Sequence, residues 1–330
     1  VNGRKLDPGT LPKEARRGRV ERHLLALTGG GYRGLFSATV LRKLEHISVE
    51  RLANRFDMIA GTSIGGILAI GLACGVSAGD LAELICEHGA SIFKPRRFSI
   101  SGLTGSRYGA AGLETAIIKV LGKQTAKSSF VNISVPLIVC AVDEMTSQPR
   151  LFRTVQAGGS AEDKVSVLDV AMATSAAPTY FPPHTINGRK HVDGGLIANA
   201  PDALLLAEAM RIFGCSLEEC HLLSVGTASS PRVGAATAAP GKLGWVARHA
   251  LVDLIMTAQE ALVMQQVVAM RPGTFLRIDQ CPSTPIALDD ISESITQQLV
   301  ALGEAAAEAT TANRNADLRR FMAHTCDRLF

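Results

Sequence analysis

Buried strands show as short unbroken apolar runs and helices as apolar positions three and four apart, and the N-terminal part of the chain alternates between the two patterns. His23-Leu24-Leu25-Ala26-Leu27-Thr28 predicts a buried strand that ends in Gly29-Gly30-Gly31-Tyr32-Arg33-Gly34. Leu35, Val40, Leu41, Leu44 and Ile47 then recur at helical spacing. Phe56-Asp57-Met58-Ile59-Ala60 predicts a second strand, which runs through Gly61-Thr62-Ser63-Ile64-Gly65-Gly66 into an apolar helical stretch. Two successive strand–turn–helix units predict an α/β fold, a mainly parallel sheet with helices on its faces.

The rest of the chain follows less strictly. A helix is predicted over 78–93, with Asp80 near its start and Leu81, Leu84, Ile85 and Ile92 on one side. The basic stretch Lys94-Pro95-Arg96-Arg97-Phe98, continuing through Ser and Gly to Arg107-Tyr108, predicts a long loop between helices. Such a loop is either a solvated surface segment or a lid or contact for phosphate-bearing groups. A helix over 112–123, a buried strand over 135–142, a companion strand over 148–153 and a helix over 165–176 come next. Asn187-Gly188 between two extended arms predicts a two-residue hairpin, whose second arm delivers Asp193 to the turn Gly194-Gly195. A helix over 201–213, a strand over 221–226, a mobile Pro- and Gly-rich loop over 227–243, a largely helical stretch over 243–270, a strand over 275–278 and helices from 289 onward complete the pattern. Residues 1–20 read as a polar arm and 21–330 as one domain without internal repeats, mostly helical in its C-terminal part, 243–330.

Composition narrows the setting. At 330 residues, 47% hydrophobic and 19% charged, the chain can bury a large core. A formal net charge of +4 is too small to argue for a nucleic-acid polymer but does not oppose an anionic membrane surface. The cysteines, at 74, 86, 140, 215, 220, 281 and 326, form an odd set without zinc-ligand spacing and predict reduced residues of a cytosolic protein. Positions 1–20 are basic and lack the apolar core of a signal peptide. The longest apolar run, over 64–76, is shorter than the about 20 residues needed to cross a bilayer. Membrane contact is therefore expected to be peripheral, at the inner face of the membrane, by a cytoplasmic protein.

The candidate chemistry sits in the two glycine turns. Gly61 and Gly65, two before and two after Ser63, permit a sharp strand-to-helix turn that exposes the Ser63 hydroxyl at a helix N-terminus. That is a nucleophile's position for acyl transfer, although Gly-x-Ser-x-Gly alone also describes a plain turn. Gly29, Gly31 and Gly34 match Gly-x-Gly-x-x-Gly, the dinucleotide-binding pattern, which requires an acidic residue at the end of the second strand; here Asp57 lies near its start. The same geometry can serve as an oxyanion hole, with the N–H groups of Gly30 and Gly31 as donors. A Ser–His–Asp triad is a further alternative, with His184, His191 and His221 following the serine.

Gly29-Gly30-Gly31-Tyr32-Arg33-Gly34, Gly61-Thr62-Ser63-Ile64-Gly65 and Asp193-Gly194-Gly195, with Ala173-Thr174-Ser175-Ala176-Ala177-Pro178 before the last, resemble the signature blocks of patatin-like phospholipases over residues 22–226. The resemblance implies a three-layer α/β/α fold, a Ser63–Asp193 dyad in which the carboxylate takes the serine proton directly, and Arg33 bracing the glycine loop. It also implies a phospholipase A-type acyl hydrolase acting on membrane phospholipids without a metal or cofactor. Leu27 to Phe36, with Ser63-Ile64-Gly65-Gly66-Ile67-Leu68-Ala69, looks more narrowly like the bacterial anti-phage effectors of that family. Those are switched on by a cyclic dinucleotide such as 3′,3′-cyclic GMP-AMP (cGAMP). On that basis Arg96, Arg97, Arg107 and Tyr108 are candidate contacts for a nucleotide or a lipid head group, and a homodimer is left open. An unregulated lipase or esterase and a nucleotide-sensing module on an inactive hydrolase scaffold are the alternatives.

Overall fold

Eight strands make one mixed sheet in the computed structural model, which describes residues 20–48, 50–96, 105–229, 250–313 and 315–326. The expected polar arm, Arg97 with most of the basic loop, and most of the loop over 227–243 lie outside the described residues. The elements run β1 (Arg22–Leu27), α1 (Gly34–Ser48), β2 (Met58–Thr62), α2 (Ile64–Ala73), α3 (Ala78–Ile92), α4 (Ala110–Leu121), α5 (Lys123–Lys127), β3 (Leu137–Asp143), β4 (Gln148–Arg153) and α6 (Val167–Thr174). They continue as β5 (His184–Ile186), β6 (Arg189–Asp193), α7 (Gly195–Ala198), α8 (Asp202–Phe213), β7 (Cys220–Val225), α9 (Ala250–Met270), β8 (Thr274–Ile278), α10 (Glu293–Asn313) and α11 (Asn315–Ala323).

The strands β3, β2, β1, β7 and β8 are parallel, as the two strand–turn–helix units require, while β4, β5 and β6 form antiparallel pairings at one side. Alternate residues of β1 face opposite layers. Leu25 and Leu27 pack with α1, α3, α10 and α11, and Leu24 and Ala26 with α8 and α9. Both faces are covered, which is why the central strands are continuously apolar. The Asn187-Gly188 hairpin forms as expected, with both residues at positive φ, 49° and 77°.

One edge of β3 decides the geometry of the rest. β4 occupies one edge along residues 138–143, so β2, paired to 137–140, and β6, paired to 141–143, must share the other. β2 runs parallel to β3 and ends with Thr62 opposite Cys140; β6 runs antiparallel and ends with Asp193 opposite Ala141. The two strands therefore point at each other along one edge and stop at adjacent rungs. The residues that follow and end them are Ser63 and Asp193.

Two expectations need correction. The helix expected from 289 begins at Glu293, and Asp289 lies in the loop before it, where its carboxylate caps other groups. The apolar run over 64–76 is not the longest helical one. Within α9, Leu251–Met270 spans 20 residues at mean hydropathy 1.2, long and apolar enough to cross a membrane by length and composition only. It packs here against α7 and α8 through Met256, Val263 and Val267, while Leu251, Leu254, Leu262 and Val268 are exposed.

Candidate active site

Ser63 stands at the N-cap of α2 with φ 55° and ψ −129°, a conformation sparsely populated by residues with a side chain. The flanking glycines make this turn possible: a Cβ on Gly61 would lie 2.3 Å from the Gly65 carbonyl oxygen, and one on Gly65 2.3 Å from that of Leu27. Strand and helix thus approach closer than any side chain allows. The Ser63 hydroxyl donates to Asp193 Oδ2 at 2.6 Å, and the Gly195 N–H donates to Asp193 Oδ1 at 2.7 Å. Among the described residues no histidine bonds to either member. His184 meets Asp169 at 2.9 Å, His191 the Arg189 carbonyl at 3.1 Å, and His221 lies at the N-terminal edge of the sheet.

Asp193 has no exposed surface. Burial pushes its carboxyl from 3.8 up to about 7, against the lowering pull of the Ser63 and Gly195 hydrogen bonds. A carboxylate so placed is a far better base than one in water, because protonation relieves its desolvation. It can accept the Ser63 proton as the oxygen attacks.

Three residues outside the expected set hold this arrangement. The Ser63 N–H donates to Thr174 Oγ1 at 2.9 Å, and the Thr174 hydroxyl donates to the Cys140 carbonyl at 2.6 Å. Thr174 thereby fills the break where β2 leaves β3. Asn199 and Thr227 grip the glycine turn: the Gly29 N–H donates to the Asn199 carbonyl at 2.9 Å, and the Gly29 carbonyl accepts from Asn199 Nδ2 at 3.3 Å and Thr227 Oγ1 at 3.2 Å. The segment Ala173-Thr174-Ser175 was visible as a block in the sequence, but nothing in its spacing marked the hydroxyl as a bridge.

In the glycine turn, Gly31 has φ 56°, and a Cβ there would lie 2.3 Å from the Leu288 carbonyl oxygen. The neighbouring Tyr32 N–H donates to that oxygen at 2.7 Å and the Arg33 N–H to the Gly30 carbonyl at 3.1 Å. The N–H groups of Gly30 and Gly31 have no hydrogen-bond partner among the described residues. Gly34 starts α1 beneath them. Arg33 is buried, with Nη1 3.4 Å from the Ile286 carbonyl. Gly194 passes so close to β3 that a Cβ would lie 2.3 Å from the Cys140 oxygen. Asp57, the acid considered for a ribose, is bound to the His23 N–H at the opposite end of the sheet, so the dinucleotide arrangement is not present.

Ser63 and Asp193 line a cleft that is partly open to solvent and walled by Ile64, Ile67, Ile85, Phe93, Phe181 and Met256 among others. Its lining is mostly aliphatic and aromatic, with the dyad, Ser175 and the two tyrosines Tyr32 and Tyr180 carrying its polar groups, suited to an acyl chain. Of the basic-loop candidates, Arg96 is exposed and donates to Ser106, and Arg107 pairs with Asp289 at 2.7 Å. Tyr108 is a correction. It is 2% exposed, its ring packs edge-on to Phe93 and tilted against Phe181, and its hydroxyl donates to Asp289 at 2.6 Å, so it is a core residue and not a surface contact.

The model of the patatin-like phospholipase family matches residues 25–205. Three bacterial proteins named cGAMP-activated phospholipase are similar over nearly their whole length. The one from Pseudomonas aeruginosa (strain BWHPSA011 / Pa011) is 35% identical over 300 residues, covering 87% of this chain and 88% of that protein. That from Escherichia coli (strain TW11681) is 31% identical over 331 residues, covering 90% and 92%. That from Vibrio cholerae serotype O1 (strain ATCC 39315 / El Tor Inaba N16961) is 31% identical over 329 residues, covering 88% and 92%. With a family match across more than half of its length and relatives of this similarity, the chain belongs to the patatin-like phospholipases.

Proposed function

We propose that Ser63 and Asp193 are the nucleophile and base of a phospholipase A-type hydrolase that cleaves acyl esters of membrane glycerophospholipids and is activated by a cyclic dinucleotide of the 3′,3′-cGAMP kind. The observation that carries the chemistry is the 2.6 Å hydrogen bond from the Ser63 hydroxyl to a fully buried carboxylate at the mouth of an apolar cleft. Ser63 Oγ attacks the ester carbonyl as its proton passes to Asp193 Oδ2, and the tetrahedral oxyanion is taken by the N–H groups at Gly30 and Gly31. Collapse breaks the bond to the alcohol oxygen, which leaves with the proton from Asp193. Water then attacks the acyl-serine with Asp193 again as base, releasing the fatty acid and restoring Ser63. No step calls on a metal or cofactor.

The activator is inferred from the relatives' names and from similarity over almost the whole chain. Peripheral membrane contact fits α9, where Leu251, Leu254 and Ile255 are exposed within two turns of Met256, a wall of the cleft. A cytoplasmic enzyme would reach the inner leaflet from that side. The deciding experiment measures release of a dye from a soluble short-chain ester and of fatty acid from phospholipid vesicles, with and without 3′,3′-cGAMP. Strong activation on both, loss of all turnover in Ser63→Ala, and fluorophosphonate labelling confined to Ser63 are expected. Full basal activity with no response and no thermal shift on adding nucleotide would leave an unregulated lipase. Labelling elsewhere would remove the dyad.

A further inference from the structure

At the N-terminal edge of the sheet, opposite the dyad, β1, β7 and β8 are registered so that His23 pairs with His221 and His221 with Thr274. Both imidazoles are buried, at 2% and 3% exposure. Glu21, immediately before β1, brings Oε2 to 3.9 Å from His23 Nε2 and 3.6 Å from His221 Nε2. The three donor atoms lie within 4.8 Å of one another, yet none of these separations is a hydrogen bond. His221 Nε2 is buried without a hydrogen-bond partner among the described residues. The ring's other nitrogen, Nδ1, lies 3.0 Å from the Thr274 hydroxyl. When Nδ1–H donates to that hydroxyl, the lone pair of Nε2 is left facing a carboxylate. Acceptors that converge in this way call for a cation between them.

We propose that Glu21, His23 and His221 hold a divalent ion of the zinc type, which fastens α11 to the sheet and takes no part in hydrolysis. Two imidazole nitrogens and a carboxylate oxygen are a borderline donor set of the kind zinc accepts, with water as the fourth ligand. Donors at zinc distances and a tetrahedral angle lie about 3.4 Å apart, and the two separations from Glu21 exceed that by half an ångström or less.

The surroundings act as an outer shell. Thr274 holds the His221 ring through Nδ1, and Arg320 of α11 grips the Glu21 carboxylate through Oε1 while its Nε lies 3.3 Å from Oε2. His324, just beyond α11, stacks on His23 with ring centroids 3.9 Å apart. The helix is thus joined to the ligands by an ion pair and a ring stack. From His23 to Gly29 the chain extends about 20 Å at strand rise, too far for the ion to touch the reacting ester.

The test uses the 330-residue chain stripped with a chelator, titrated with Zn²⁺ by calorimetry and with Co²⁺ by visible absorption. One equivalent of saturable binding, a tetrahedral Co²⁺ spectrum and a higher thermal midpoint with zinc are expected. Affinity should fall at least tenfold in Glu21→Gln and His221→Ala and about 10–100-fold in Thr274→Val. Glu21 is 45% exposed, so its glutamine variant decides the matter even if His221→Ala does not fold. The proposal is overturned by absence of saturable binding or by unchanged affinity in Glu21→Gln. It is equally overturned by loss confined to His324→Ala, which would place the ion in the adjacent Asp57, His324 and Cys326 group.

Discussion

Replacing Asp193 by asparagine should separate the stability of the protein from its chemistry, because the same burial that makes the carboxylate a base also makes it costly. Asparagine can keep both local contacts, accepting the Gly195 N–H through Oδ1 and donating to Ser63 Oγ through Nδ2. In the wild type the folded carboxyl titrates at about 7 and the unfolded one at 3.8. Between those values the folded state holds a proton that the unfolded state has released, so stability falls as pH rises through the window and levels off above 7. The full difference amounts to about 4 kcal/mol. For a chain of 330 residues, with an unfolding entropy of about 0.7 kcal/mol/K, that corresponds to a midpoint difference of about 6 °C. Asp193→Asn should therefore melt about 6 °C above wild type at pH 8, with the gap shrinking steadily to near zero by pH 4. Scanning calorimetry of both proteins across that range reads the gap directly. A gap that does not change with pH, or a variant less stable than wild type at pH 8, would refute the reasoning. The variant should show no hydrolysis at any pH.

Wild-type kcat/KM on a soluble ester should rise with pH and reach a plateau above an apparent pKa of about 7, reporting the free base; a profile flat from pH 5 to 9 would contradict Asp193 in that role. Thr174→Val removes one acceptor and one donor from buried partners and should destabilise by about 2–4 kcal/mol. It should lower kcat with little change in KM, and Thr174→Ser should restore both; an unaffected Thr174→Val would show that the bridge is dispensable. Gly31→Ala meets the Leu288 carbonyl and an unfavourable φ together, so kcat should fall by about 10²–10³ if the turn supplies oxyanion donors. An effect on KM alone would argue instead for a substrate-binding turn.

The parts of this fold that could be read from the sequence are those fixed by neighbours in the chain. An apolar run before glycines and a 3.6-residue period after them identify β1 with α1 and β2 with α2, and Asn187-Gly188 identifies a hairpin because few other pairs accept two positive φ values. The roles of Thr174, Asn199 and Thr227 are not legible in the sequence because they lie in partners 34, 170 and 198 positions away. Tyr108 sits in a basic, loop-like stretch that reads as a candidate ligand contact, yet Phe93, Phe181 and the Asp289 carboxylate draw it into the core. Glu21, His23 and His221 have no linear ligand spacing; only the pairing of β1 with β7 makes them neighbours.

The meeting of β2 and β6 on one edge of β3 also has a bearing on how the chain is made. The two halves of the dyad are 130 positions apart, and the distance between them is set by where two oppositely running strands stop. A slip of β6 by one residue would turn Asp193 to the opposite face of the sheet. During synthesis Ser63 leaves the ribosome long before its base, and every fragment that ends before the hairpin carries a serine with nothing to deprotonate it. Copies truncated before the hairpin are thus expected to lack the hydrolytic activity proposed for the dyad.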